Sequence, residues 1–154
     1  MPSRRDQIRL SEDELRTLLA EERTVTCATL GPNGRPHLMP LWYVPDGREL
    51  LAWTFAKSQK ARNLERDPRA TLQVEAGEEY AELRGAMLEC DVALERDPDR
   101  VTRLGLRLMR RYAADASEED LAEGVRAQAP KRVGMRFRPT RAVTWDHRKL
   151  GGAY

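Results

Sequence analysis

Residues 53–64, Trp53-Thr54-Phe55-Ala56-Lys57-Ser58-Gln59-Lys60-Ala61-Arg62-Asn63-Leu64, place a hydroxyl between two ammonium groups where a strand gives way to a helix. The run is β-prone up to Phe55 and then reads as a helix whose N-cap is Ser58. Backbone N–H groups left open at a helix start, with the helix dipole behind them, favour a negative group. Lys57 and Lys60 add formal charge and Ser58 adds a hydroxyl donor, so the chemistry on offer is the binding of a phosphate. The chain has four lysines, the others being Lys131 and Lys149, and two of the four share this short stretch. From pattern alone, a capped surface helix with both lysines in solvent reads the same way.

Other reactive constellations are sparse. No Ser-His-Asp set or pair of carboxylates stands out, and no Cys/His spacing suits a metal. His37, Tyr43 and His147 are the candidates for moving a proton, although a lone histidine on a strand is more often structural or exposed. Cys27 and Cys90 lie in apolar, strand-like runs and read as free core thiols of a reducing compartment.

The elements that must position these groups follow from turn and cap signals. Ser11 with Glu14 is a capping box, and Leu15, Leu18 and Leu19 form one apolar face, which predicts a helix from Ser11 to Glu22. Strands are expected over Thr24–Leu30, Arg35–Val44 and Glu49–Phe55, separated by Gly31-Pro32-Asn33-Gly34 and Pro45-Asp46-Gly47-Arg48. Arg69–Ala76 and Tyr80–Leu94 are the fourth and fifth, with Gly85 marking a bulge or a close approach. Asp97-Pro98 starts a helix as N-cap and N1, and Ser117 with Asp120 opens another. The last strand, Lys131–Trp145, alternates Val133, Met135 and Phe137 with polar or small residues, including Arg132 on the wet side. Six strands, mostly joined as hairpins, imply one small antiparallel barrel domain, mainly β with peripheral helices, over residues 1–154.

The totals exclude several classes. A net charge of +2 is too small to indicate a nucleic-acid binder. The polar stretch Met1–Gln7 has no apolar signal region and no run reaches membrane-spanning length, so a cytoplasmic protein is expected.

The arrangement resembles the FMN-binding split-barrel superfamily of pyridoxamine 5'-phosphate oxidase-like proteins over nearly the whole chain. The likeness is carried by Gly34–Trp42 (Gly-Arg-Pro-His-Leu-Met-Pro-Leu-Trp), by the block ending Lys57-Ser58-Gln59-Lys60-Ala61-Arg62-Asn63-Leu64, and by Arg66-Asp67-Pro68-Arg69-Ala70-Thr71-Leu72. It implies a six-stranded antiparallel split β-barrel forming a homodimer, with cofactor sites between the two subunits. In that superfamily a Ser-Arg-Lys triplet after a strand holds the cofactor phosphate. Ser58-Gln59-Lys60 is similar to it, with Lys57 or Arg62 supplying the charge that Gln59 lacks and Asn63 in the same block. Trp53, Thr54, Phe55 and Ala56 would then lie along the ring system, with Met39, Pro40, Leu41 and Trp42 contacting the same rings. The second subunit would contribute Leu83–Met87 and the stretch from Trp145 to Lys149, Trp145 above all.

Vitamin B6 oxidation is not what the C-terminus suggests. The Arg-Leu-His-Asp-Arg-like element of the true oxidase is replaced by Trp145-Asp146-His147-Arg148-Lys149-Leu150-Gly151-Gly152, without its spacing or second arginine. The Lys-x-x-Lys-Ala-Arg-Asn-Leu block and Arg138-Pro139-Thr140-Arg141 are similar instead to an actinobacterial, F420-dependent branch. The resemblance therefore implies an oxidoreductase moving hydride between the deazaflavin F420 and a small organic molecule. FMN in the same seat, or a non-catalytic carrier of a flavin, deazaflavin or haem-like ligand, are the alternatives.

Overall fold

Two glycine turns set the strand plan. In the computed structural model, which describes residues 1–152, Gly34 and Gly47 take φ of 77° and 63°, conformations that a side chain would oppose. The first joins β1 (Val25–Leu30) to β2 (Pro36–Leu41), and the second joins β3 (Val44–Asp46) to β4 (Glu49–Phe55). β5 (Arg69–Ala76), β6 (Arg84–Glu95) and β7 (Arg132–Asp146) complete one antiparallel sheet in the order β2-β1-β5-β6-β7-β4-β3. β2 and β3 stand at opposite ends of that order, yet only Trp42 and Tyr43 separate them in the chain. The two edges meet at this corner, which curls the sheet into a split barrel. Pro36, Pro40 and Pro45 fall on these two edge strands, where a missing N–H costs least.

The sheet has seven strands rather than the six expected. The expected strand Arg35–Val44 breaks at Trp42-Tyr43 because side chains from far along the chain take Tyr43's backbone bonds. Its N–H donates to Tyr112 Oη at 3.0 Å and its carbonyl accepts from Arg111. The expected strand Tyr80–Leu94 likewise begins late, at Arg84, after a 3-10 turn over Tyr80–Glu82.

The caps form as expected. Ser11 closes a capping box on α2 (Glu12–Glu21), which follows the one-turn α1 (Arg4–Gln7). Ser58 caps α3 (Gln59–Arg66), Asp97 with Pro98 starts α4 (Pro98–Tyr112), and Ser117 starts α5 (Glu118–Gln128). Leu18 and Leu19 of α2 pack with Val25, Leu72, Leu88 and Phe137 inside the barrel. Leu51 and Trp53, on the outer face of β4, form a second core with Leu104, Leu108 and Val125 of α4 and α5. Cys27 and Cys90 are buried, unpaired thiols of the first core.

Gly85 is a point of close approach and not a bulge. A β-carbon there would sit 2.5 Å from the Trp145 ring and 2.6 Å from the Val74 carbonyl oxygen. The register shift lies further along β6, where Glu89 faces Arg141 but Cys90 faces Pro139, leaving Thr140 as the extra residue. Because one of the atoms in the way at Gly85 is backbone, Gly85→Val is expected to cost about 1–3 kcal/mol through overpacking. Urea unfolding checks this, and a change within experimental error would show that both the Trp145 ring and the Val74 backbone give way at no cost.

Candidate functional site

The strand-to-helix junction is built by four hydrogen bonds. Ala56 N–H donates to Lys131 O at 2.8 Å, which extends the pairing of β4 with β7 by one step, and Ser58 N–H donates to Phe55 O at 2.9 Å to turn the chain. Ser58 Oγ then accepts from Ala61 N–H at 3.1 Å, and its carbonyl accepts from Arg62 N–H at 3.2 Å. Thr54 Oγ1 lies 3.3 Å from Ser58 Oγ. The N–H groups of Gln59 and Lys60 find no acceptor among the described residues, which leaves an open positive end on α3.

The cations around it are divided. Lys57 and Arg62 are exposed, whereas Lys60 is 6% exposed and turns into the barrel end with Asn63, which is fully buried. Asn63 is satisfied: its Nδ2 donates to Thr29 Oγ1 at 3.0 Å, and its Oδ1 accepts from Gln59 Nε2 at 2.8 Å. Lys60 has no hydrogen bond or ion pair among the described residues, and its nearest electrostatic partner is the Cys27 thiol. Burial pushes the Lys60 ammonium below the usual lysine range, and the charge that would oppose this is a Cys27 thiolate. Burial also pushes the Cys27 thiol up to about 11, so it is neutral and supplies no counter-charge. His37, which faces Thr29 across the β1–β2 pair, has a buried Nδ1 with no partner. An uncompensated ammonium, an orphaned ring nitrogen and two open N–H groups fit an anionic group at this end of the barrel.

The expected ring contacts separate by face. Met39 (47% exposed), Trp42 (49%) and Phe55 (50%) present apolar surface, as does Pro40, while Leu41, Trp53 and Thr54 are buried. Trp42 stacks on Tyr112 at 4.3 Å and 5°. Pro40, Leu41, Trp42 and Trp53 together wall one side of a cavity of about 540 Å³ whose other side is α4 and α5. Ala56 is half-buried at the turn itself.

Trp145 is not brought to this junction within one chain. It lies near the far end of the fifteen-residue β7 from Arg132, packed over Gly85 beside Leu83–Met87. The proton-donor candidates are similarly dispersed. Tyr43 is fully buried, its hydroxyl bonds Leu19 O at 2.6 Å, and burial pushes its pKa up to about 12. His147 Nδ1 lies 2.8 Å from Tyr80 O, in the turn that follows β7. His37 is the candidate nearest the junction, one strand from Thr29 and its partner Asn63. Among the described residues no cluster of His, Cys, Asp or Glu could hold a metal ion, and no helix is long and apolar enough to cross a membrane.

The residue that sequence reasoning missed is Arg132. It is opposite Phe55 in the β4–β7 register, half-buried, with its guanidinium 3.8 Å above the Phe55 ring and 5.1 Å from that of Trp53. Alternation along β7 assigned it to solvent, and only the cross-strand pairing reveals the two aromatic rings.

A family model described as pyridoxamine 5'-phosphate oxidase matches residues 11–146. Among solved structures, the conserved hypothetical protein Rv2991 from Mycobacterium tuberculosis is 38% identical with a TM-score of 0.90, covering 99% of this chain and 95% of that one. A structure named as an F420 reductase is 25% identical with a TM-score of 0.69, covering 86% of this chain and 98% of its own. HutZ from Vibrio cholerae, named as a haem storage protein, shares the fold at 18% identity and a TM-score of 0.68, with 86% and 94% covered.

Proposed function

The chain belongs to the pyridoxamine 5'-phosphate oxidase family of split barrels, and within it we propose an F420-dependent oxidoreductase acting on a small organic molecule. The observation that carries this reading is the junction at Ser58. It pairs an open helix start with a buried, uncompensated Lys60 and an exposed Lys57 and Arg62. Ser58 and the N–H groups of Gln59 and Lys60 would hold a phosphate, while Lys57 and Arg62 at the mouth suit the carboxylates of the F420 tail. Met39, Pro40, Trp42 and Phe55 would cover the ring system. The cofactor supplies hydride chemistry at its ring. The protein's part is to orient the ring, exclude water and offer His37 as the nearby group able to hold a proton. The likeness to an F420 reductase supports the choice of cofactor.

The same surface supports a homodimer as part of this proposal. Leu38, Met39, Trp42 and Phe55 leave a large apolar area exposed on one chain, and a twofold partner would cover it and bring Trp145 to the cofactor. Arg148 pairs with Asp146 through two contacts of 2.9 and 2.8 Å, which supports reading it as a structural arginine and not as a grip for the phosphate of a B6 substrate. The two unpaired buried thiols suit a cytoplasmic setting. A carrier without turnover is the second reading, favoured by Tyr43 and His147 both being committed to backbone carbonyls. FMN is the alternative cofactor.

Titrating F420 and FMN against one preparation tests the assignment. F420 fluorescence is expected to quench to saturation at lower concentration than FMN requires, and tighter FMN binding would move the protein to the FMN reading. Saturable F420 binding with no hydride transfer to any of a panel of enones, quinones and nitro compounds would make it a carrier.

A further inference from the structure

We propose that the cavity between β4 and the α4–α5 pair is a binding site for a monocarboxylate with a flat apolar body, and that Arg132 grips its carboxylate. As a substrate seat this rests on the cofactor reading above; as a carboxylate site it stands by itself.

Charge complementarity carries the inference. β7 holds four arginines, of which Arg136 pairs with Asp46 and Glu49, Arg138 with Glu49 and Arg141 with Glu89. Arg132 is the exception, with no carboxylate partner among the described residues. Its Nε is buried without an acceptor, and its one hydrogen bond is from Nη2 to Gln128 Oε1 at 3.2 Å. The guanidinium carbon lies 3.8 Å from the Phe55 ring centre and 5.1 Å from that of Trp53, two cation–π contacts that anchor the charge where Arg132 lines the cavity. A carboxylate in the cavity would accept from the terminal nitrogens of Arg132, a charge-assisted contact that the residue's neighbours do not already supply.

The rest of the wall defines the body of the ligand. Trp42, Trp53, Leu108 and Leu121 make it chiefly apolar, and about 540 Å³ is enough for a small aromatic acid. Gln128 and Arg132 form one polar end, and Asp120 lies at the other, about 12 Å away along α5 at the helical rise. An acid at that end disfavours a second anionic group, so the site selects one carboxylate. Gly124 lines the middle of the wall, and a β-carbon there would meet nothing within 4 Å. Pro40, Leu41 and Trp42, to which ring contacts were assigned, also line the cavity, so a ligand bound here shares that wall with the cofactor seat.

Calorimetric titration of the cofactor-free protein with trans-cinnamate, cinnamyl alcohol and 4-carboxycinnamate tests the site. Cinnamate is expected to bind at least tenfold more tightly than the alcohol, and the dicarboxylate more weakly than cinnamate. Arg132→Met should erase the preference for cinnamate over the alcohol, Arg132→Lys should restore part of it, and Gly124→Leu should weaken both ligands by filling the cavity. F420 affinity should stay within twofold in Arg132→Met. Equal binding of acid and alcohol, or a preference that survives Arg132→Met, would overturn the proposal. So would loss of F420 binding in that variant, because the guanidinium would then belong to the cofactor seat. A normal cinnamate preference in a protein that fails to bind F420 supports the carboxylate site and overturns the cofactor reading alone.

Discussion

Arg111→Ala is expected to lower the unfolding free energy by about 3–4 kcal/mol, the largest single loss of stability outside the apolar core. The reason is a helix end that cannot cap itself. The last turn of α2 contains no basic residue, and its carbonyls are met instead by a guanidinium 91 and 92 positions later. Arg111 donates to Leu19 O and Ala20 O at 3.0 Å and to Glu22 O at 2.7 Å, and also to Tyr43 O. Its guanidinium lies 4.5 Å from the centre of the Tyr43 ring. Hydrogen bonds from a charged donor contribute roughly 1.5–3 kcal/mol each, but water can replace those at the exposed side, which holds the total near the stated range. Arg111→Lys should recover less than half, since one ammonium cannot reach carbonyls on both α2 and the β2–β3 corner. The denaturation midpoint is expected to fall with an unchanged slope, and a loss under about 1 kcal/mol would mean that Tyr43 and Tyr112 hold the corner without it. The effect reaches the candidate site through Tyr112, on which Trp42 stacks.

The same corner shows what the chain discloses locally and what it does not. Ser11, Ser58, Asp97 and Ser117 were readable as caps because each signal lies within four residues of the N–H it accepts. The break at Trp42-Tyr43 was not, because Arg111 and Tyr112, which interrupt the strand, lie 68 and 69 positions away. Arg132 was hidden for the same reason: its place opposite Phe55 depends on β4 and β7 being neighbours. The inward turn of Lys60 did leave a local trace. It shares the helical face of Asn63 and Leu64, three and four residues on, and both are buried. Reading Lys57 and Lys60 together as phosphate-binding cations weighed their charge and passed over that periodicity. The close approach at Gly85 was legible as an oddity, while its cause, the Trp145 ring from another strand, was not.

Lys60→Met is expected to make the free protein more stable and to weaken binding of F420 more than tenfold when combined with Lys57→Ala. The two halves of this expectation have one cause. A buried ammonium without a counter-ion is unfavourable, and a methionine of similar length fills the same space with no charge to desolvate. Relief of about 1 kcal/mol would raise the melting temperature by about 2–4 °C in a chain of this size. The pH dependence has a definite sign. Burial depresses the folded-state pKa of Lys60 below its ordinary value of 10.5, so between the two values the unfolded chain carries the proton and the folded chain does not. The contribution of Lys60 to stability therefore rises with pH through that window, against the fall contributed by the buried Cys27, Cys90 and Tyr43, whose folded pKa values are raised, and its penalty is fully present below the window. In Lys60→Met that contribution should disappear, so stability should fall more steeply with pH through the window than in wild type. An anion bound at the start of α3 would remove the same penalty by pairing the charge, so cofactor binding and the stability cost of Lys60 are two readings of one electrostatic debt. Thermal melts with and without F420, for wild type and Lys60→Met, separate the possibilities: the cofactor should stabilise wild type more than the variant. If Lys60→Met is instead less stable and binds F420 as wild type does, the ammonium belongs to the packing of the barrel end, and the phosphate must be held by Lys57, Arg62 and the backbone alone.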